Sequence, residues 1–486
     1  MLLLILLHIY FVTFRDKPEK TAPQLSERAW EQRAKWNIPT DGMDYPVSPM
    51  YMNQLTQLDV KIHHKSRWFN GVTCEMSEET AKKVAELKFV TGVEMTREDK
   101  SSNLKFNISY PKGTTISNLR FNNSSFNREY TAVGEEPEKE KWTDAQLELY
   151  NLKPLHEMGY EGQGILMTLC DGGFYNVQNM SCFRPKELEL GHFDFTDDAG
   201  DFYGSSGAHG MECLSTISGI ADGFYGAATK AQYYLMRSEE EVTESPKEMD
   251  NLVAALEKAD SLGVNIFSVS LGYGWFDNDK WTLPKTALDG KSTRASQAAT
   301  IAARKGILVC VAAGNEGNNE WHTISVPGDA DSILTVGAVN TEGEIGSFSS
   351  YGPAADGRVK PDVCAVGWQA TIITPSGTIV RGNGTSFATP LLAGMAATLW
   401  SALPDENAMQ IRERILKSAN RYDDPDPERY GYGIPDAWVA YTMDRTTEGE
   451  SSIQNSVFSI QKVLRDGQLY LMYEGTMYDV LGRRML

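Results

Sequence analysis

A chain of 486 residues, 41% of them apolar, has enough material for one large core and smaller attachments. Its formal net charge of −19 argues against nucleic acid or an anionic membrane surface as partner. Its six cysteines are few for this length and no two have metal-ligand spacing; Cys170 and Cys310 end apolar, strand-like runs and read as buried thiols.

The chain opens MLLLILL, an apolar run too short to span a membrane. It resembles the core of an export signal without a basic leader, and residues 1–8 are read as the remnant of one. Residues 9–97 read as a small α+β unit, with strands at Ile9–Phe14, Val60–His63, Trp68–Thr73 and Phe89–Glu94 and helices at Leu25–Ala34 and Ser77–Leu87. Residues 98–142 are rich in Asn, Ser and charge, and read as a solvated, cleavable linker.

From Trp142 the pattern changes to apolar strands alternating with helices. The strands are predicted at Ile165–Cys170, Gln232–Met236, Val264–Val269, Ile307–Ala312 and Ile333–Val339. The helices are predicted at Asp144–Met158, Met211–Ile220, Lys247–Leu262, Ser292–Lys305, Phe387–Ala402 and Ala408–Ser418. Strands that are apolar throughout, separated by helices, imply an α/β fold: a parallel sheet with helices on both faces. Phe387–Leu403 is long and apolar, but Thr389, Pro390, Gly394 and Ser401 favour a buried core helix, so no integral membrane span is expected.

Ligands of such sheets bind at the carboxyl ends of the strands, and polar residues collect there. Asp171 follows a strand and precedes Gly172-Gly173, a place suited to a carboxylate that orients a base; alone it reads first as a turn aspartate. His209 lies in Gly207-Ala208-His209-Gly210 before an apolar helix, and reads as a base or as a capping residue. His322, between Trp321 and Thr323, lacks glycine flanks and reads as packing support. Ser270-Leu271-Gly272 can present backbone to an extended peptide. Asn315, after Ala313-Gly314, can donate to an oxyanion or occupy a left-handed turn.

Ser386 is the most telling residue. It sits in Gly384-Thr385-Ser386-Phe387-Ala388-Thr389-Pro390, at the start of the buried helix, where free backbone N–H groups favour developing negative charge. Pro390 is expected in the first turn, where its missing N–H costs no helical bond. The bland alternative is a serine cap. All seven histidines precede Ser386, which excludes the α/β-hydrolase order, where histidine follows serine.

Taken together, residues 143–443 resemble the subtilisin-like serine proteases, the subtilase family. Leu169-Cys170-Asp171-Gly172-Gly173, His209-Gly210, Ala313-Gly314-Asn315 and the Ser386 segment carry the resemblance. It implies Ser386 as nucleophile, His209 as general base and then acid, Asp171 as the orienting carboxylate, and Asn315 with the Ser386 N–H as oxyanion hole. Ser270, Leu271, Gly272, Ala313 and Gly314 would bind substrate. Met211 stands where the family usually has threonine, and Ala208 where a polar residue is common. The sedolisins share the serine motif but use a glutamate base, and His209-Gly210 argues against them. No cofactor is required by the resemblance; calcium is common in the family, and no acidic cluster in the sequence is assigned to it.

Residues 9–97 resemble the ferredoxin-like prosegment of subtilases, which assists folding and blocks the site until cleaved. Residues 444–486 carry short strands with turns at Asp466-Gly467 and Glu474-Gly475, and resemble an abbreviated C-terminal sorting tail of exported Bacteroidota proteins. The expectation is an exported serine endopeptidase made as a zymogen, whose partners are protein or peptide substrates and its own prosegment. A pseudoprotease that binds peptides without cutting them is the alternative.

Overall fold

The computed structural model describes residues 6–98 and 142–443, apart from residues 20, 184, 198–199, 205–206 and 241–242, together with the backbone of three strands between residues 461 and 478. The chain divides into two units, Met1–Ala440 and Tyr441–Leu486. The first holds two main sheets and two short hairpins.

The smaller sheet contains β1 (Leu7–Phe14), β2 (Lys61–Ser66), β3 (Gly71–Ser77) and β4 (Val90–Arg97), in the order β2-β3-β1-β4. Strand β1 is central and buried from His8 to Val12, as its run of apolar residues demands. Helices α1 (Glu27–Trp36), α2 (Pro49–Thr56) and α3 (Glu78–Ala85) accompany it. The Ser77 hydroxyl caps α3, accepting from the Thr80 N–H at 3.1 Å. Tyr51 stacks on Phe89 with ring centroids 4.0 Å apart, inside a core with Val12, Leu55, Val72 and Met76. Two local expectations are corrected. The strand predicted from Trp68 begins at Gly71, because Trp68 turns away to join the apolar core of the larger sheet. Helix α2 was not foreseen, although Ser48 caps it and Pro49 opens it.

The larger portion begins with α4 (Asp144–Glu148) and α5 (Lys153–Glu157). One helix was expected here; the left-handed backbone of Asn151, φ 50°, breaks it. Next come β5 (Leu166–Asp171), β6 (Glu189–Asp194), α6 (His209–Ser218), the short hairpin β7 (Ile220–Ala221) and β8 (Phe224–Tyr225), and β9 (Gln232–Arg237). They are followed by α7 (Lys247–Leu262), β10 (Ile266–Val269), α8 (Arg294–Arg304), β11 (Leu308–Ala312), β12 (Leu334–Val339) and β13 (Val363–Val366). A hairpin of β14 (Ala370–Ile373) and β15 (Ile379–Gly382) precedes α9 (Thr385–Ala402) and α10 (Ala408–Ser418).

Seven strands form one sheet, β13-β12-β11-β10-β5-β9-β6, parallel at every pairing, as the apolar strands predicted. Strand β6 escapes prediction because, at the sheet edge, it alternates between half-buried and exposed residues. Phe267, Val269, Val309 and Val311 meet the apolar face of α7 and α8, while α9, buried along nearly its whole length, covers the other face. Among the described residues no helix is long and apolar enough to cross a membrane. All six cysteines are buried free thiols.

The small sheet docks on α7 and α8 through buried charge. Arg33 Nη2 bonds both carboxylate oxygens of Asp260, at 2.8 and 2.9 Å, and Arg67 Nη2 bonds Asp260 Oδ2 at 2.5 Å. Lys305 pairs with Asp44 at 2.9 Å, and Glu257 accepts from the Ser66 hydroxyl at 2.5 Å and the Arg67 N–H at 2.9 Å. His64 Nε2 meets Phe195 O at 2.8 Å and Asn251 Oδ1 at 3.0 Å.

In the second unit β16 (Gln461–Arg465), β17 (Gln468–Tyr473) and β18 (Thr476–Tyr478) form an antiparallel meander. Arg465 pairs with Gln468 and Tyr473 with Thr476, the register of two-residue turns. The turn residues expected there, and the linker of residues 98–142 beyond residue 98 and before residue 142, lie outside the described residues.

Candidate active site

Strands β11, β10, β5 and β9 are neighbours, so their carboxyl ends share one rim. Asp171 is the last residue of β5, and is buried. Its Oδ1 accepts from the Gly172 N–H at 2.8 Å and lies 2.7 Å from His209 Nδ1. A carboxylate only accepts, so Nδ1 carries the proton and Nε2 is left to accept another. Gly210 makes this approach feasible. A Cβ there would sit 2.6 Å from Gly173 O and 2.8 Å from Asp171 Cβ. The Gly210 N–H donates to Gly173 O at 2.9 Å, which pins the start of α6 to the Asp171 turn. Met211 is fully buried and Ala208 provides no side-chain cap, yet the Asp171–His209 bond is in place.

Ser386 is the second residue of α9, and Gly384, not Ser386, occupies the cap position. The serine-cap reading therefore falls away. Pro390 is also one turn deeper than expected. A residue with an N–H at that position would donate to Ser386 O. Instead Ser386 O accepts from Ser270 Oγ at 2.9 Å and from Cys213 Sγ at 3.2 Å. Cys213, one turn after His209 on the same face of α6, lies 3.9 Å from each nitrogen of the His209 ring. Phe387 packs beside that ring, with centroids 6.0 Å apart. The thiol thus touches both the histidine and the serine backbone.

Asn315 Oδ1 accepts from the Thr385 N–H at 2.9 Å and the Thr385 hydroxyl at 3.0 Å. Its carbonyl edge is fixed, which leaves the amide NH2 as the edge available to a ligand. Ser270, Leu271, Gly272, Gly314, Asn315 and Ser386 line one cavity. Ala313 is placed differently: it is fully buried with Ile324 and Ala354, and Ala312 reaches the cavity instead. His322 stacks on Tyr351, ring centroids 3.9 Å apart, in keeping with a packing role.

The cavity also holds residues that sequence reasoning missed: Glu239, Glu244, Trp275 and Glu316. Glu239 follows β9 by two residues, and its Oε1 accepts from the Tyr273 hydroxyl at 2.8 Å. Burial and the nearby Glu244 raise its pKa well above the usual carboxylate range. Burial alone pushes Glu316 up to about 7. Carboxylate oxygens of Glu239, Glu244 and Glu248 lie within 4.8 Å of one another, a spacing at which they could hold a metal ion. The rule that led to Asp171, a polar residue just beyond a strand, would have found Glu239.

A seven-stranded parallel sheet flanked by helices, with an aspartate–histidine pair and a helix-terminal serine on one rim, defines the class of protein. Residues 91–433 match the model of the subtilase family, and the chain belongs to it. Residues 9–110 match a second model, the peptidase S8 propeptide domain of Bacteroidota. Subtilisin NAT of Bacillus subtilis subsp. natto is 29% identical over 277 residues, covering 54% of this chain and 63% of its own length. Serine protease AprX of Bacillus subtilis (strain 168) is 26% identical over 312 residues, covering 57% of this chain and 66% of its own. The chain thus spans less than two thirds of the first of these relatives. Among solved structures, MycP1 from Mycobacterium smegmatis shares the fold, with a TM-score of 0.50 and 20% identity over 65% of this chain and 90% of that one.

Proposed function

We propose that this protein is an exported serine endopeptidase, made as a zymogen and cleaving peptide bonds through an acyl-enzyme. In this reading Ser386 attacks the carbonyl, His209 takes its proton and returns it to the leaving amine, and Asp171 holds the imidazole in the required tautomer. Asn315 and the Ser386 N–H receive the oxyanion. The observation that carries it is the 2.7 Å contact between Asp171 and His209, with Cys213 in contact with both His209 and the Ser386 carbonyl.

Residues 9–97 act as the inhibitory prosegment, residues 98–142 as the linker cut at maturation, residues 143–443 as the catalytic domain and residues 444–486 as the tail. Parallel sheets form slowly because their contacts are non-local, which gives a folding assistant its use. The match to a propeptide model and the buried contacts to Asp260 and Glu257 support this division. The test is hydrolysis of an unfolded protein by the full chain and by its Ser386→Ala variant, with N-terminal sequencing of the products. Hydrolysis lost with Ser386→Ala, and a new N-terminus within residues 98–142, are expected. Equal hydrolysis by the variant would end the reading.

A further inference from the structure

Between the end of β9 and the start of α7 the described residues lie outside any helix or strand, yet Glu239 and Glu244 line the cavity that also holds Ser386 and Asn315. Something other than a backbone ladder must keep them in place. Glu240 and Ser245, 7% and 2% exposed, carry backbone N–H groups that meet no carbonyl among the described residues. A buried N–H needs an acceptor from elsewhere.

Glu248, in the first turn of α7 and fully buried, supplies both acceptors. Its Oε1 accepts from the Glu240 N–H at 2.9 Å and its Oε2 from the Ser245 N–H at 3.0 Å. One side chain thus ties the residue after Glu239 to the residue after Glu244. Ser245-Pro246-Lys247-Glu248 has the form of a capping box. Here the Ser245 hydroxyl has no partner among the described residues, and the carboxyl group reaches past the box to Glu240. Burial, then Glu239 and Glu244, raise the pKa of Glu248 well above the usual carboxylate range, and its side chain is hydrogen-bonded to that of Glu244. A protonated Glu248 therefore faces the two N–H groups with its oxygens and gives its proton to Glu244. The far side of the wall is held too. The Tyr273 hydroxyl donates to Glu239, and Asp277 Oδ2 accepts from the Glu244 N–H at 3.2 Å.

We propose that Glu248 is a positioning residue for peptide hydrolysis: from behind the cavity wall it fixes Glu239 and Glu244 where an extended peptide runs past Ser386. The inference rests on the reading of Ser386 as nucleophile. Glu248 acts through the backbone of Glu240 and Ser245, so its effect grows with the length of peptide lying along the wall and leaves the attacked carbonyl alone. Glu248→Gln is the informative change. It keeps the size and still donates to Glu244, but sets an NH2 against one of the two backbone N–H groups, and one tie is lost.

The full chain and its Glu248→Gln variant are expressed, left to process themselves and counted by fluorophosphonate titration. Each is assayed on a fluorogenic peptide with five residues before the scissile bond and on an acetyl amino-acid ester with one. The peptide KM should rise about tenfold, the equivalent of about one hydrogen bond, with kcat and the ester kcat/KM within about twofold. A merely structural role would lower the titrated amount and leave KM unmoved. An unaltered peptide KM, or equal losses on both substrates, overturns the inference and leaves the protease reading intact. Where Glu248→Gln gives no folded protein, Glu248→Asp takes its place; it keeps both acceptors one methylene further off, and a KM rise of about threefold is expected, none being contradictory. An unaltered chain that hydrolyses neither substrate counts against the protease reading, and binding of the same peptide is then measured. Affinity about tenfold weaker in the variant supports the positioning role, and equal affinities overturn it. A chelator that reproduces the KM rise in the unaltered chain would assign the hold to a bound cation and overturn it as well.

Discussion

Pro390 stands four residues after Ser386 and has no N–H to give its carbonyl; Ser270 Oγ, at 2.9 Å, takes the place of that helical bond. The backbone of the proposed nucleophile is therefore tied across the sheet rim, to the end of β10, instead of along its helix. The proline that looked like an ordinary helix opener is what frees the carbonyl for this bond. Replacing Ser270 with alanine leaves Ser386 O with the Cys213 thiol alone, a weak donor. An unmet buried acceptor costs about 1–3 kcal/mol. We expect Ser270→Ala to lower kcat by about tenfold, and Pro390→Ala in that background to recover part of the loss by restoring a helical donor. No change in kcat for Ser270→Ala would show the tie to be irrelevant.

Asn315 is held by its carbonyl edge on Thr385, so its amide NH2 is committed to the site by geometry. Asn315→Leu keeps the volume and removes the donor. A kcat lower by about 10²–10³ with KM little altered is expected, the magnitude known for loss of a side-chain oxyanion donor in subtilisin. A loss confined to KM would place Asn315 in ground-state binding instead.

Asp260 serves two arginines of the prosegment at once, Arg33 and Arg67, all three nearly inaccessible to water. Without Asp260, Arg33 keeps Asp44 at 2.8 Å and Arg67 keeps Glu257, so the set is weakened without leaving a lone charge, at a cost of about 1–3 kcal/mol, the scale of hydrogen bonds to charged groups. Asp260→Ala, made in a Ser386→Ala chain that cannot process itself, should lower the unfolding free energy in urea by that amount. A change below about 1 kcal/mol would mean that water reaches the arginines and the interface is held by its apolar contacts.

Docking should also depend on pH through His64. Burial, and then Lys247, lower its pKa below the ordinary histidine value. His63, beside it on β2, lies 2.7 Å from Asp197 and 3.3 Å from Glu75. An undocked histidine titrates near about 6.5. The docked state binds fewer protons than the undocked one, so docking is fully retained above about pH 6.5 and weakens as pH falls below it. Release of the prosegment, followed by gel after self-cleavage, should quicken on acidification, and His64→Gln should flatten that dependence. An unaltered pH profile in His64→Gln would remove His64 from the account.

Much of the fold was legible because burial on both faces leaves a plain trace. The apolar runs ending at Cys170, Met236, Val269, Ala312 and Val339 became β5 and β9–β12, and the amphipathic run Lys247–Leu262 became α7 with its predicted ends. Asp171, His209 and Ser386 were legible because each stands next to such a run. The rest depends on contacts distant in sequence. Glu239 and Glu244 belong to a charged stretch that reads as solvated, and only the packing of Tyr273 and Trp275 turns them into a cavity wall. Nothing in the sequence marks Cys213; only the meeting of α6 and α9 brings its thiol to the Ser386 carbonyl.

The most direct measurement is reaction of the processed protein with a fluorophosphonate, the modified residue being located by mass spectrometry. The account predicts one adduct, on Ser386, whose formation slows by orders of magnitude in His209→Ala and is absent in Ser386→Ala. An adduct elsewhere, or labelling of Ser386 that is indifferent to His209, would contradict it.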